Sequence, residues 1–539
     1  MAVTGRDDAR EDASTPEDGL PLDDSQQFDD PSPIDDVAEP REHEPTAAER
    51  SVEAEAEASG DIASDVALTD REAAANDAAE TSRRAARRDI ARWSLRALAG
   101  VAAAALGVGA VLGANALPPT ARVQAEAPTT HVQPASPLQS RVCAGPALRV
   151  GSSDGQDALA IASLAEPSVA VGSLGGQIDR SSLVVESQQG VVGSAAISQR
   201  GEASTLSATQ SLTLPGGEAR GFAASECAET SLDQWLVGGS TRTGRQSVLT
   251  IANAALVSAS VDVTVFGADG PVEAVGSSGI SVRPGTEVVL DLAALAPGVA
   301  DAVVRVTSVG APVAAHLQQT TTRGLEPGGF DIVDPVQALT GAVLPGVEIP
   351  APTGVGTQPD FDDAVPVLRL LSVDGGPVRL AFRSEDGSTI ESEGQLQPGL
   401  VTDFPLDEIP PGTTTIRVDA DGPVVAGARA VASSAEGVDF DWISGGQPRS
   451  GASSIAVPGG LPALLHVASA SEADQEITVG GVPVLLPAGG VHEQAVAEGA
   501  VEVTGDDIVV AVTYRDASRV GGFTASPQGP TAQGVTVVH

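Results

Sequence analysis

The segment that most restricts the fold occurs three times. "VVRVTSVGAPVAA" from Val303, "TIRVDADGPVVAG" from Thr415 and "AVEVTGDDIVVAV" from Ala500 each join two short runs of Val, Ile and Ala through a few Gly, Asp or Pro residues. Alternate side chains of a strand point to opposite faces, so branched apolar residues at every second position predict half-buried strands, here paired across a short turn. A second element precedes each copy. "VDVTVFGADG" from Val261 is echoed by "VRLAFRSEDG" from Val378 and more faintly by "QEITVGG" from Gln475, with turns following at Pro284-Gly285, Pro398-Gly399 and Pro487 with Gly489. A unit recurring at roughly a hundred residues predicts successive modules, each with its own core. The expected fold class is therefore mainly β, a tandem of Ig-like β-sandwich modules.

The joints carry their own echo. "WLVGGSTRTGRQS" from Trp235 resembles "WISGGQPRSGASS" from Trp442, placing Trp235 before Gly238 and Gly239, and Trp442 before Gly445 and Gly446. Two readings stand for these tryptophans, a large side chain packing at a seam between modules or a flat platform for a ligand. The expected modules are 141–235, 236–345, 346–445 and 446–539. The only cysteines, Cys143 and Cys227, bracket the first of them. An even pair in an exported chain predicts one disulfide. Closing so long a loop would stabilise by about 4 kcal/mol in the chain-entropy account.

Ahead of the modules the texture differs. The first 82 residues hold 25 Asp and Glu against 5 Arg. Within them, 1–68 have too little apolar surface to offset the entropy of ordering, which predicts a disordered acidic tail. Residues 69–96 are rich in helix formers and end in the cluster Arg83, Arg84, Arg87, Arg88, Arg92 and Arg96. Next comes 97–117, uncharged throughout and long enough at roughly 1.5 Å per residue to cross a hydrocarbon core of roughly 30 Å as one transmembrane helix. Arginines on one flank mark the cytoplasmic side, so the tail is expected inside and the modules outside. A cleaved signal sequence ending at Ala114-Asn115-Ala116 is the competing reading; the length of the apolar run and the tail before it favour a retained anchor. Gly109 and Gly113 have the spacing of a close helix–helix contact, which an Ala/Gly-rich segment also produces by chance. Residues 118–140 form a Pro/Ala/Thr spacer expected to stand extended.

Chemistry is sparse. All 30 basic residues are arginine, which excludes a Schiff-base lysine and a P-loop lysine. A formal charge of -42 argues against nucleic acid as a partner. Gly151-Ser152-Ser153-Asp154-Gly155 matches a hydrolase elbow in letters, and such an elbow needs a strand before it and a helix after it; tight turns use the same residues. His316, His466, His492 and His539 have no His or Cys at metal-ligand spacing, while His43 and His131 fall in the tail and spacer. Acidic stretches such as "SEDGS" and "DFDW" read as hairpin turns, with calcium ligation as the competing account. No catalytic residue, cofactor or metal site is predicted. An aromatic content of 2 % leaves few platforms for gripping sugars.

"VCAGP" at the start of the exported part, the stretch "CAETSLDQWLVGGSTRTGRQSVLTIAN" and the Val/Gly/Pro-rich modules after it resemble an uncharacterised family of secreted or membrane-anchored envelope proteins of high-GC Gram-positive bacteria. The resemblance covers roughly 141–539 and rests chiefly on Cys143, Cys227, Trp235, Gly238 and Gly239. It implies an envelope protein near polysaccharide machinery, without an assigned activity. The expected function is a single-pass envelope protein whose ectodomain binds or scaffolds an envelope protein or glycan, while the acidic tail is available to a cytoplasmic partner. An extracellular hydrolase or wall-modifying enzyme using Ser153, and a passive spacer, are the alternatives.

Overall fold

The computed structural model describes residues 129–132, 139–152, 154–186, 192–200, 205–361, 363–434, 437–527 and 535–538. The acidic tail, the 69–96 helix with its six arginines, the 97–117 span with Gly109, Gly113 and Ala114–Ala116, most of the spacer and Ser153 lie outside them. Among the described residues no helix is long and apolar enough to cross a membrane. The fold is mainly β. Among the described residues helix is confined to single turns such as Leu292–Leu295, which Asp291 caps by accepting from the Ala293 N–H at 3.0 Å.

The alternation seen in the sequence becomes a pleat. Along Ala259–Gly267, Val261, Val263 and Val265 are buried while Ser260 and Asp262 face solvent. Seven positions along the chain recur in each of three modules. The first strands are Asp233–Val237, Leu339–Ile349 and Arg449–Val457, and the second are Arg245–Asn253, Val367–Leu371 and Ala463–Ser469. A hairpin follows, built on Ala259–Gly267, Gly376–Ser384 or Gln475–Val479, and then a fifth strand, Thr286–Asp291, Thr402–Pro405 or Val491–Val496. The last strands are Glu326–Val333, Gly437–Ser444 and Val520–Ala525.

Between the fifth and last strands runs the thrice-repeated segment, and here the expectation of a hairpin is corrected. Gly412–Ser434 and Gly499–Arg515 are single long strands. The first half of Gly412–Ser434 pairs with the first strand and the hairpin, the second half with the second and last strands. Gly499–Arg515 divides in the same way. In the earlier module Val303–Val309 and Ala314–Arg323 are separate strands, yet each again serves a different sheet. The Gly and Asp residues bend the chain from one sheet to the other instead of reversing it; Asp507, at φ 47°, takes one such bend. Two sheets thus enclose one apolar cluster per module, for example Leu344, Leu380, Ile416 and Val418 from one sheet against Leu368, Leu370, Ala426 and Ala428 from the other.

Residues 139–230 are built differently. Cys143 and Cys227 form a disulfide with Cα atoms 3.8 Å apart. Gln177–Val185 pairs in parallel with Thr286–Asp291, so one eight-stranded sheet runs through this part and the next module. Arg220–Glu226, the last long strand of residues 139–230, lies at the edge of a separate three-stranded sheet. This part also meets the far end of the chain: Ala456 N–H donates to Ser207 Oγ at 2.8 Å, and Ser211 Oγ donates to the Gly459 carbonyl at 2.5 Å. The four last strands consequently lie side by side in closed order, Arg220–Glu226 against Glu326–Val333, then Gly437–Ser444, then Val520–Ala525, and back to the first.

Candidate functional site

The centre of that ring carries the chain's concentration of buried charge. Each last strand pairs on one side only, so its inward N–H groups have no ladder partner, and a buried donor left unpaired is costly. Carboxyl groups take the place of the missing strand. Asp439 accepts from the N–H groups of Phe222, Phe330 and Val520 at 3.1, 3.2 and 3.2 Å, so one side chain joins its own strand to the other three. Asp331 accepts from Trp442 N–H at 2.8 Å, Asp441 from Gly522 at 3.0 Å, Asp334 from Glu226 at 2.8 Å and Glu226 from Ser526 at 2.8 Å.

Close approach of backbones is what makes these bonds feasible. A Cβ on Gly221 would stand 2.5 Å from Asp439 Oδ1, and one on Gly329 would stand 2.5 Å from Phe440 Cδ1 and 2.8 Å from Asp439 Oδ1. The strands share a short pattern: "GFAASE" from Gly221, "GFDIVD" from Gly329, "DFDWIS" from Asp439 and "GFTASP" from Gly522. Four of the nine phenylalanines sit at this one position, Phe222, Phe330, Phe440 and Phe523, all buried. In a chain this poor in aromatics that recurrence is the signal from which the ring could have been read. The expectation that "DFDW" is a turn is corrected: it is a buried strand, because Asp439 and Asp441 satisfy backbone donors of neighbouring strands. "SEDGS" does form the turn of a hairpin, with Ser384 N–H donating to the Ser388 carbonyl at 3.0 Å.

Burial dominates the electrostatics. It pushes Asp439 and Asp441 well above the usual carboxylate range against their N–H donors, and it raises Asp331 to about 7. Asp331 Oδ1 and Asp441 Oδ2 have no hydrogen-bond partner, and the charge of Asp331 raises Asp441 further, so a proton on one of the two relieves the repulsion of neighbouring buried carboxylates. Asp334 is raised by burial and by the charges of Glu226 and Asp331. Burial also raises Glu226, opposed by Arg141 and Arg449, and holds His316 neutral near 4, its Nε2 3.3 Å from the Glu226 carbonyl.

At the C-terminal ends of the four strands the ring opens into a cavity of about 390 Å³. Every module contributes to its wall: Glu226 and Glu229 from the first, Asp334 from the second, Ser444 from the third, Gln447 and Thr524 from the fourth. Its size falls in the range of small-ligand sites, and its wall is acidic and hydroxylic with no aromatic ring.

The residues singled out from the sequence lie mostly at seams. Trp235 is 3 % exposed and packs with Phe266, Leu371, Val401 and Val425, joining the second and third modules. Trp442, 2 % exposed, has the guanidinium groups of Arg369 and Arg429 over its ring at 4.6 and 5.4 Å, and its Nε1 donates to Gln319 at 3.0 Å. A Cβ on Gly238 would touch Val333 and the Trp442 ring, and one on Gly239 would touch Leu317. Gly445 and Gly446 meet Ala342, Val509 and Thr524 in the same way. Both tryptophans therefore face packed side chains, while the cavity lies at the other glycine pair. Around Ser153 the described neighbours form a turn between two paired strands, Ala147–Val150 and Ile161–Ala165, so a strand stands where a hydrolase elbow has its helix.

One further arrangement has triad connectivity. His466 lies 3.2 Å from Glu493 through Nδ1 and 2.8 Å from Thr513 Oγ1 through Nε2. The backbone of Gly346 from the preceding module covers it, for a Cβ there would stand 2.8 Å from the ring. The imidazole is 1 % exposed, so the group ties two modules together and offers no approach to a carbonyl substrate. Among the described residues no group of three or more His, Cys, Asp or Glu has the geometry to hold a metal ion.

No curated protein matches this chain. A solved structure from Thermotoga maritima, titled only by the number 1070, aligns at 18% identity over 20% of this chain and 93% of its own, with a TM-score of 0.18. The profile of a family of unknown function, DUF5719, matches residues 184–484, from the strand that enters the shared sheet to the hairpin of the last module, and the chain belongs to that family.

Proposed function

We propose that this chain is a non-catalytic recognition protein of the cell envelope. Its four β modules, read as Ig-like sandwiches from the two-sheet cores of the last three, form one rigid ectodomain. The uncharged run 97–117, with arginines on its N-terminal side, anchors it with the acidic tail inside and the modules outside. The observation that carries the reading is the axial cavity walled by all four modules: a pocket at a junction of domains is where binding sites preferentially occur. Nothing in that wall pairs a nucleophile with a base, which supports binding over turnover, and its contribution from every module supports recognition over a passive spacer. The ligand is an envelope protein or glycan outside the cell.

In-cell crosslinking of the full-length protein in its native membrane, followed by affinity purification and mass spectrometry, tests this reading against a chain truncated after Leu117. A discrete set of partners lost on truncation supports a recognition module. An unchanged nonspecific background excludes a protein partner and moves the test to isolated cell walls; failure to bind these as well contradicts the reading and leaves the spacer.

A further inference from the structure

Five large aliphatic side chains stand in solvent on one side of the end face where the cavity opens: Val184, Leu232, Leu256, Val257 and Val309, from 53 % exposed at Val184 to 94 % at Leu256. They belong to the first two modules and form one patch, because the segments that carry them are bonded to one another. Val184 N–H donates to the Gly285 carbonyl and Gly285 N–H to that of Asn253, whose side chain donates to the Val257 carbonyl. Val309 pairs with Ser260, a Cβ on adjacent Gly310 would stand 2.8 Å from the Ser258 carbonyl oxygen, and Ser308 N–H donates to the Leu232 carbonyl.

The repeat supplies an internal control. The turn after the second strand is "AALVS" from Ala254 in the second module, but "SVDG" from Ser372 and "ASEAD" from Ala470 in the next two. In the long segment, Val309 occupies the bend where its counterparts are Asp421 and Asp506. Every bend leads into the half that pairs antiparallel with a last strand, so all three lie at the cavity end of the ring. The same loops are thus built with acids elsewhere, and the fold does not require aliphatic residues in them. A contiguous exposed patch that the fold does not require marks an interaction surface. The charges at its margin are paired, Arg305 with Asp233 and Arg283 with Glu186. The end face is therefore aliphatic on the side of the first two modules and acidic on the side of the other two.

The chain enters the described fold on the aliphatic side. Gln139–Val142 runs antiparallel to Ala228–Glu229 with Arg141 opposite Glu229, so its start points toward Leu232. Residues 118–138 separate that entry from the proposed anchor by about 70 Å of chain at full extension. A tether of this reach presents the patch to the lipid surface at high effective concentration. Aliphatic tips without unpaired charge are what the boundary between headgroups and acyl chains accepts.

We propose that Val184, Leu232, Leu256, Val257 and Val309 form a lipid-contact surface that dips into that boundary, tilts the acidic half of the end face away and sets the cavity mouth beside the membrane. The proposal rests on the reading of 97–117 as a retained anchor and gives the ectodomain a fixed orientation on it.

The full chain reconstituted in phosphatidylcholine vesicles tests it. Cys143 and Cys227 are the only cysteines and are bonded to each other, so a Leu256→Cys variant carries one environment-sensitive fluorophore, attached from outside. Leu325→Cys is the reference, 98 % exposed on the hairpin turn at the opposite end of the ring. Spin-labelled lipid should quench the fluorophore at position 256, and aqueous iodide should quench it severalfold less than at position 325. Adding Val257→Glu and Val309→Asp gives the tip acids like those of the other modules; melting should be unchanged, and iodide quenching should rise to the reference level. Equal iodide quenching at the two sites, in chain that an alkaline carbonate wash leaves in the vesicles, overturns the proposal and spares the anchor, whereas release by the wash overturns both. Shielding from iodide without spin-label quenching assigns the patch to a second copy and overturns the lipid contact, as does spin-label quenching undiminished in the acidic variant.

Discussion

Replacing Asp439 with alanine removes the acceptor of three buried amides at once, those of Phe222, Phe330 and Val520. Each amide left without a partner costs about 1 to 3 kcal/mol, giving a gross loss of about 3 to 9 kcal/mol. Part of this returns, because the carboxyl itself is buried at a penalty that its removal relieves. A net loss of about 3 to 5 kcal/mol follows, and its distribution is the more telling feature. Since Asp439 joins all four last strands, its loss should uncouple the modules as well as weaken the whole. Urea unfolding followed by two signals reads this directly: far-UV circular dichroism reports every module, while fluorescence of buried Trp235 and Trp442 reports the seam of the second and third. In the unaltered chain the two curves should coincide, and in Asp439→Ala they should separate at a lowered midpoint. A midpoint shift worth less than about 1 kcal/mol with curves still superimposed would refute the reasoning, since a structural hub cannot be removed at the cost of an ordinary surface change.

Acidification supplies a second check. Asp331 rises from 3.8 to about 7 on folding and Glu287 from 4.5 to about 7, so the folded chain binds protons more tightly than the unfolded one between those values. Stability from these groups is fully present below their unfolded pKa and is lost as pH rises through about 7, at most about 4 kcal/mol for Asp331. The melting temperature should rise as pH falls from 7.5 to 5.5, and the rise should shrink in Asp331→Asn; an unchanged slope would count against a proton on one of Asp331 and Asp441. Gly329→Ala drives a methyl against Phe440 and Asp439 and should lower stability by about 1 to 3 kcal/mol in denaturant titration, whereas an unaltered midpoint would mean that the strands approach less closely. Replacing both Cys143 and Cys227 with serine opens a loop of sequence separation 84 and should cost about 4 kcal/mol, measured as a lowered urea midpoint.

The sequence reading and the structure meet where physics is local. Val261, Val263 and Val265 declared their strand through alternation alone, and the Cys143–Cys227 pairing followed from there being one even pair. The repeated segment is legible in the sequence but its path is not, because Gly and Asp permit a bend between sheets as readily as a hairpin turn, and only the distant partner strands decide between them. Asp439 reads as a turn residue for the same reason. Its three donors come from parts of the chain far apart in sequence, and no periodicity records a side chain that accepts from another module's backbone. The recurrent Phe222, Phe330, Phe440 and Phe523 did carry that information in the sequence, one per module beside a Gly or Asp. The axial cavity, which exists only once the ring closes, left no local trace.

Closure of the ring between the first and last parts of the chain is the claim on which the hub, the cavity and the proposed ligand all depend. A Cβ built on Gly172 would stand 2.5 Å from Ser454 Oγ, which places the two Cβ atoms near the separation a disulfide requires. Gly172→Cys combined with Ser454→Cys, oxidised at low protein concentration and run on a non-reducing gel, should give a faster-migrating intramolecular species in near-quantitative yield. Two persistent free thiols, or crosslinked dimers in its place, would contradict closure of the four modules around a common centre.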